Sequence, residues 1–187
     1  MRQHILPAIR LTLVCIVFFM GIYSLVILAG AQLAPGRGKG ETVTFNKKVV
    51  GWKLLGQKFT DDKYFWGRPS VVDYNAAGSG ASNKGPTNSD YLKQVQDRID
   101  SFIVHNPGVK KEDVPSDLVA ASGSGLDPNI SVDGALVQVN RIAKARNLPS
   151  EEVRAVVDKH IDGPLVGLFG TRKVNVLDLN IALDELK

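Results

Sequence analysis

The hydrophobic pattern divides the chain at its first charged boundary. Residues 11–34 carry no formal charge and run between Arg10 and Arg37, whereas beyond Arg37 apolar positions come in short runs broken by polar ones. At a helical rise of about 1.5 Å per residue the uncharged stretch reaches about 36 Å, enough to cross a bilayer core with some tilt. The runs 16–20 and 22–28 have no polar face, which argues against a buried core helix. Ala29-Gly30-Ala31 is a small-x-small pattern that a signal peptidase could cut, yet the apolar region exceeds the roughly 7–15 residues of a cleavable leader. The reading that follows is an uncleaved membrane anchor.

Residues 35–41 alternate glycine with basic residues and read as a linker; with no strand before them and no helix signal after, they are not a phosphate loop. Residues 42–45 and 48–55 are rich in strand formers, and Asn46-Lys47 between them suits a hairpin turn. Residues 56–70 gather Phe59, Tyr64, Phe65 and Trp66 beside Arg68 and Pro69, a loop packed by its own aromatics. Arg68 with Tyr64 and Trp66 offers a polar or cation-binding surface as the other reading. Residues 74–88 are mostly Ala, Gly, Ser and Asn and cannot build a core; held in order by backbone bonds, such a loop is disproportionately functional.

Four helices follow. One begins near Asn88 or Ser89 with Leu92, Val95, Ile99, Phe102 and Ile103 on its apolar face, and ends at Asn106-Pro107-Gly108. The second has Ser131 as N-cap and Val132, Ala135, Leu136, Val139, Ile142 and Ala143 on one face, with Arg141, Lys144 and Arg146 complementing its C-terminal end. Ser150 is expected to cap the third, whose face is Val153, Val156, Val157 and Ile161. Asn175 caps the last, with Val176, Leu179, Leu183 and Leu186 turned inward. The expected architecture is α+β: a tail (1–10), one transmembrane helix (11–34), a linker (35–41) and a single domain (42–187) with a small sheet and about four helices.

Composition narrows this further. Of 187 residues, about 150 follow the span, the size of one domain. The net charge of +4 includes Arg2 and Arg10, so from Arg37 onward 21 basic residues face 19 acidic ones, +2. That balance leaves no electrostatic footprint for nucleic acid. Cys15, the single cysteine, lies in the span and can form neither an internal disulfide nor a thiolate site; His4, His105 and His160 are scattered, so no metal is expected. Basic residues flank both ends of the span, but long domains translocate largely regardless of charge. The expected topology is therefore a cytoplasmic N-terminus and an extracytoplasmic domain.

Ser122-Gly123-Ser124-Gly125, followed by Asp127 and Asn129, leads into a helix. As a hydrolase site it lacks the spacing of a nucleophile elbow. As an anion or nucleotide loop it offers glycine-rich amides near a helix N-terminus, without the Lys-Ser or Lys-Thr of a Walker motif. As a tight turn, Asp127, Pro128 and Asn129 set the helix entry.

The strings Gly56-Gln57-x-Phe59, Tyr64-Phe65-x-Gly67-Arg68-Pro69-Ser70, Tyr74-Asn75, Gly80-Ala81-Ser82-Asn83, Ala121-Ser122-Gly123-Ser124-Gly125-Leu126-Asp127-Pro128-Asn129-Ile130-Ser131, Gln138-x-x-Arg141 and Val174-Asn175-Val176-Leu177-x-Leu179-Asn180, after one N-terminal span, resemble the C subunit of the Kdp potassium-transporting ATPase of bacteria and archaea. Ser89 and Thr171-Arg172 depart from that family's usual prolines at helix entries or turns. The resemblance implies a non-catalytic accessory subunit that helps assemble an ATP-hydrolysing pump subunit with a potassium-translocating subunit and raises the pump's affinity for ATP. ATP is thus implied for the complex, with no cofactor held stably by this chain. Contacts expected with partners are Gly21, Ser24, Ala29 or Gly30 in the span, where small residues let helices approach, and Tyr64, Phe65, Arg68 and Asn83 in the domain. The alternative is an anchored extracytoplasmic hydrolase using the loop 122–129.

Overall fold

The computed structural model describes residues 2–186, with only the backbone of Arg2, so the expected ends of the tail and the domain at residues 1 and 187 lie outside it. The chain forms two compact units, Met1–Thr42 and Val43–Lys187.

The first unit is one helical run. Helix α1 (Arg2–Ile16) passes through a π-helical stretch (Val17–Tyr23) into α2 (Ser24–Ala31). The 29 residues Gln3–Ala31 are long and apolar enough to cross a membrane, and no part of their most apolar window is buried within the chain. The helix thus begins before the expected residue 11 and stops before 34. Pro35 explains the stop: it drives Ala34 into extended geometry (φ −79°, ψ 154°), and a short 3-10 turn, Pro35–Gly38, follows.

The second unit opens with the hairpin of β1 (Thr42–Phe45) and β2 (Lys48–Trp52). Asn46 and Lys47 both take positive φ, 50° and 64°, the geometry whose twist matches the flanking strands. β2 ends three residues earlier than residue 55. Helix α3 (Ser89–His105) starts where expected, with the Asn88 side chain accepting from the Tyr91 amide. Its apolar face is engaged only near the end: Phe102 is buried, whereas Leu92 is 52% exposed because the first turns of α3 extend past the core.

A three-stranded antiparallel sheet that the sequence reading did not anticipate is built from β3 (Asn129–Ser131), β4 (Ile161–Asp162) and β5 (Lys173–Asn175), ordered β3-β5-β4. Ile130 and Ile161 both pair with the central Val174. The helix expected from Ser131 is two: α4 (Val132–Leu136) and α5 (Val139–Arg146). Ser131 caps α4 as anticipated, accepting from the Gly134 amide. Helix α6 (Ser150–Lys159) corrects another reading, since Pro149 holds the cap position in extended geometry and Ser150 is the first helical residue, its hydroxyl directed to Asn140 Oδ1 at 3.3 Å. In α7 (Val176–Glu185), Asn175 Oδ1 accepts from the amides of Leu177 and Asp178, the cap read from sequence. Ile142, Val153, Val157, Val174, Leu179 and Leu183 form the core between the helices and the sheet, with Phe65 inserted among them.

Candidate functional site

Two irregular segments, 56–80 and 120–129, carry most of the residues marked by the sequence, and the fold binds them to each other. Gly56 N donates to Leu126 O at 2.8 Å, Ser122 N to Pro69 O at 3.3 Å, and Gly80 N to Ser124 O at 2.9 Å. Ser79 Oγ also donates to Ser124 O, at 3.0 Å. Gly125 takes φ +69°, and a Cβ there would come within 2.7 Å of Val72 Cγ2 and 3.0 Å of Gly80 O. The loop 122–129 is thus the seam along which the small-residue segment is held in order.

Its polar atoms are turned to that purpose. Buried Ser122 Oγ accepts from Gly125 N at 2.8 Å, and Ser124 Oγ accepts from Leu126 N at 3.0 Å. Asp127 Oδ1 accepts from Asn129 N at 3.0 Å, an Asx turn that aims the chain into β3. Asp127 Oδ2 receives Arg68 Nη1 at 3.0 Å in a partly buried ion pair, and Arg68 Nη2 donates to Ala120 O at 3.4 Å. Arg68 Nε is buried and makes no hydrogen bond among the described residues. Tyr74 Oη donates to Arg68 O at 2.5 Å.

A nucleophile needs a base within hydrogen-bond reach. Neither serine hydroxyl has a histidine partner: His105 Nδ1 lies 2.9 Å from Asp62 Oδ1, and His160 Nδ1 faces Val156 O at 2.8 Å. The hydrolase reading is not favoured by this arrangement. Among the described residues no three His, Cys, Asp or Glu side chains gather as metal ligands would.

Burial raises the Tyr74 hydroxyl above its ordinary pKa, with the charges of Asp73 and Asp127 adding to the effect. The folded chain therefore keeps this proton when the unfolded chain loses it, so Tyr74 contributes stability below pH about 10 that is lost as pH rises through the higher folded value. Tyr74→Phe flattens that alkaline loss. The difference in unfolding free energy between wild type and variant, measured from pH 8 to 11, should shrink as pH rises; a difference independent of pH contradicts the assignment.

The second constellation lies under the aromatic segment. Trp66 N donates to Gln138 Oε1 at 2.8 Å and Gln138 Nε2 returns a bond to Trp66 O at 3.2 Å. Phe65 is gripped in the same way by Asn180, N to Oδ1 at 2.7 Å and Nδ2 to O at 3.0 Å. Arg141, 6% exposed, donates to Asn106 Oδ1 at 3.0 Å, Asp62 O at 2.7 Å and Gln138 Oε1 at 2.6 Å, and its guanidinium lies 4.2 Å from the centre of the Trp66 ring. Burial lowers its pKa to about 10, against the opposing pull of Asp62 and Asp61.

Arg141 is thus buried and not in the last turn of α5, unlike Lys144 and Arg146, which complement that end as expected; Arg146 also binds other segments. Arg146 donates to Lys63 O at 2.7 Å, Leu183 O at 3.0 Å and Asp184 Oδ1 at 2.7 Å, and stands 5.0 Å from the Tyr64 ring. Tyr64 Oη donates to Asp184 Oδ2 at 2.9 Å. Sequence reasoning missed Gln138, Asn180 and Asn106 as anchors. The first two had a signal, each being an amide on an otherwise apolar stripe, beside Ile142 and Val176 at the i, i±4 spacing.

Of the residues expected to meet partners, Phe65 is fully buried in the core, its backbone held by paired bonds to Asn180. Tyr64 and Arg68 are partly buried, and Asn83 is exposed at φ 52°. In the helical run a Cβ at Gly21 or Gly30 would meet nothing within 4 Å, and Ser24 Oγ is bonded to Phe19 O at 3.1 Å across the π-helical turn. At about 100° per residue, Gly21 and Gly30 sit on opposite sides of the helix, so they do not make one packing face.

One helix long and apolar enough to cross a bilayer, followed by an α+β domain whose buried polar residues clamp its own loops, is consistent with the class of single-span membrane proteins with one appended domain. Residues 5–185 match the family model described as K+-transporting ATPase, c chain, and the chain belongs to that KdpC family, a subunit of the K+-transporting ATPase. Proteins named "Potassium-transporting ATPase KdpC subunit" are similar along the whole length. That of Flavobacterium psychrophilum is 56% identical over 99% of this chain and 100% of its own. That of Bacteroides fragilis is 55% identical over 99% and 98%, and that of Caldanaerobacter subterraneus 44% identical over 100% and 98%.

Proposed function

We propose that the chain is the non-catalytic accessory subunit of a high-affinity, ATP-driven potassium uptake complex, holding the pump subunit and the potassium-translocating subunit together and promoting ATP binding by the pump. The observation that carries this is the fate of the loop 122–129: its hydroxyls and Asp127 are spent on hydrogen bonds that fix neighbouring backbone, which suits a rigid presenting surface better than a turnover site. The helical run, with open space beside Gly21 and Gly30, supplies a second contact through packing in the bilayer. The domain stands outside the cytoplasm, and its influence on ATP reaches the pump as a coupling between separate sites.

Paired topology reporters fused after residue 187 test the placement. Activity of the reporter that works only outside the cytoplasm is expected; activity of the cytoplasmic one alone overturns the remote coupling and makes direct contact with nucleotide the reading. For the span, Gly21→Leu should reduce co-purification of the two partner subunits about tenfold, while thermal unfolding of the isolated chain is unchanged because a Cβ at this position meets nothing within 4 Å. Unaltered co-purification removes Gly21 from the interface.

A further inference from the structure

The feature that neither the family nor the clamped loops accounts for is the tip between β4 and β5. Residues 165–169 read Leu-Val-Gly-Leu-Phe, and Leu165, Val166, Leu168 and Phe169 are 72%, 81%, 78% and 69% exposed, in a unit whose other long apolar side chains mostly build the core. Leu165 and Phe169 bridge the two arms. Val166 and Gly167 form the turn at φ 55° and 74°. Asparagine or aspartate is the low-strain choice at the first of these positions, and a β-branched residue the poorest. An apolar side chain stands at the apex despite that backbone strain.

We propose that this tip is a hook that inserts into the interfacial layer of the lipid bilayer. Three observations favour lipid over a protein groove. First, the tip bonds four of its five amides internally: Leu165 N donates to Phe169 O at 2.8 Å, Phe169 N to Leu165 O at 3.0 Å, Leu168 N to Leu165 O at 3.1 Å and Gly167 N to Pro164 O at 2.9 Å. That leaves few free polar groups at the apex, which suits the interfacial layer, where headgroups and water meet the remaining carbonyls. Second, five residues are far short of the roughly 20–30 per side that a stable protein interface uses. Third, residues 32–41 are the whole tether between the apolar helix and β1, a reach of about 35 Å when extended, so the bilayer is present at high effective concentration. Exposed Arg172 and Lys173 follow the tip and suit anionic headgroups, with Asp162 paired to Lys173 across the strands as the one opposing charge on β4. The expected depth is about 5–10 Å, the level of headgroups and first methylenes.

The test uses the full chain in vesicles of phosphatidylcholine and phosphatidylglycerol. In a Cys15→Ala background, which removes the only native thiol, Leu168→Cys, Phe169→Cys and, as reference on exposed α6, Glu151→Cys are labelled with an environment-sensitive fluorophore. Blue-shifted emission and quenching by shallow spin-labelled lipid at 168 and 169, at least threefold stronger than at 151, is the expected result. Solvent-like emission at all three positions, or equal quenching at all three, overturns the hook. Shielding of 168 and 169 from aqueous iodide that arises only when partner subunits are co-reconstituted, with no lipid quenching, also overturns it and assigns the tip to a protein contact.

Discussion

Replacing Arg141 by alanine lowers the unfolding free energy of the full chain in detergent by about 3–5 kcal/mol, the range seen when one member of a buried charged network is removed. The guanidinium is the common partner of three elements: Asn106 beyond α3, Gln138 ahead of α5, and Asp62 in the aromatic segment. Truncation leaves Asn106 Oδ1 without that donor, takes a charge-assisted bond from Gln138, and opens a space beside the Trp66 ring. Each bond to a charged group is worth about 1.5–3 kcal/mol, and each buried acceptor left without a donor adds to the cost. Arg141→Lys keeps the charge but cannot form the three-way fork, so it recovers only part of the loss. Urea unfolding followed by far-ultraviolet circular dichroism reads this directly, and a loss under 1 kcal/mol for Arg141→Ala shows that the clamp does not hold the segment. A double-mutant cycle with Trp66→Leu isolates the ring contact from the hydrogen bonds.

Gly56→Ala is the second large effect, about 3 kcal/mol or more, because the clash is with backbone. A Cβ at Gly56 would lie 2.5 Å from Asp127 O, 3.0 Å from Asp127 C and 3.1 Å from Leu126 C, and the same glycine donates its amide to Leu126 O. No side-chain rotation relieves such contacts, so the two segments must separate and break the bonds between them. Gly125→Ala acts on the same seam from the other side, through its positive φ and the close approach of Val72 and Gly80, with a cost of about 2–3 kcal/mol. Gly123→Ala is the control: the site is exposed, nothing lies within 4 Å, and the change should stay within about 0.5 kcal/mol. Equal, small effects at all three positions contradict the reading of the loop as a structural seam. In cells, potassium-limited growth should fail for Gly56→Ala and persist for Gly123→Ala.

The elements legible in the sequence were those with a local cause. The apolar run announced the membrane-type helix, though not its end at Ala31, ahead of the expected residue 34. Asn88, Ser131 and Asn175 marked helix starts because a cap is a contact within three residues. The two-residue turn at Asn46-Lys47 and the stretch of small residues at 74–88 were equally readable, as was the family resemblance carried by 56–70 and 120–131. The sheet β3-β5-β4 was not, because strands of two or three residues show no period and exist only through pairing with other segments, β3 with the distant β5 and β5 with β4 across the tip. Arg141 misled for a related reason: charge near a helix end looks the same in sequence whether it faces water or a buried carbonyl.

What the sequence alone determined, then, was the division into an apolar helix and one α+β domain, the caps at Asn88, Ser131 and Asn175 and the family to which the chain belongs. Only the tertiary structure decided the roles of the marked residues. It turned Ser122 and Asp127 inward as seam bonds, made Phe65 core where a partner contact was expected, and left residues 165–169 exposed. Capping and hydropathy act over a few residues and are written locally. The burial of a polar side chain, or the exposure of an apolar one, depends on which distant segments complete its surroundings.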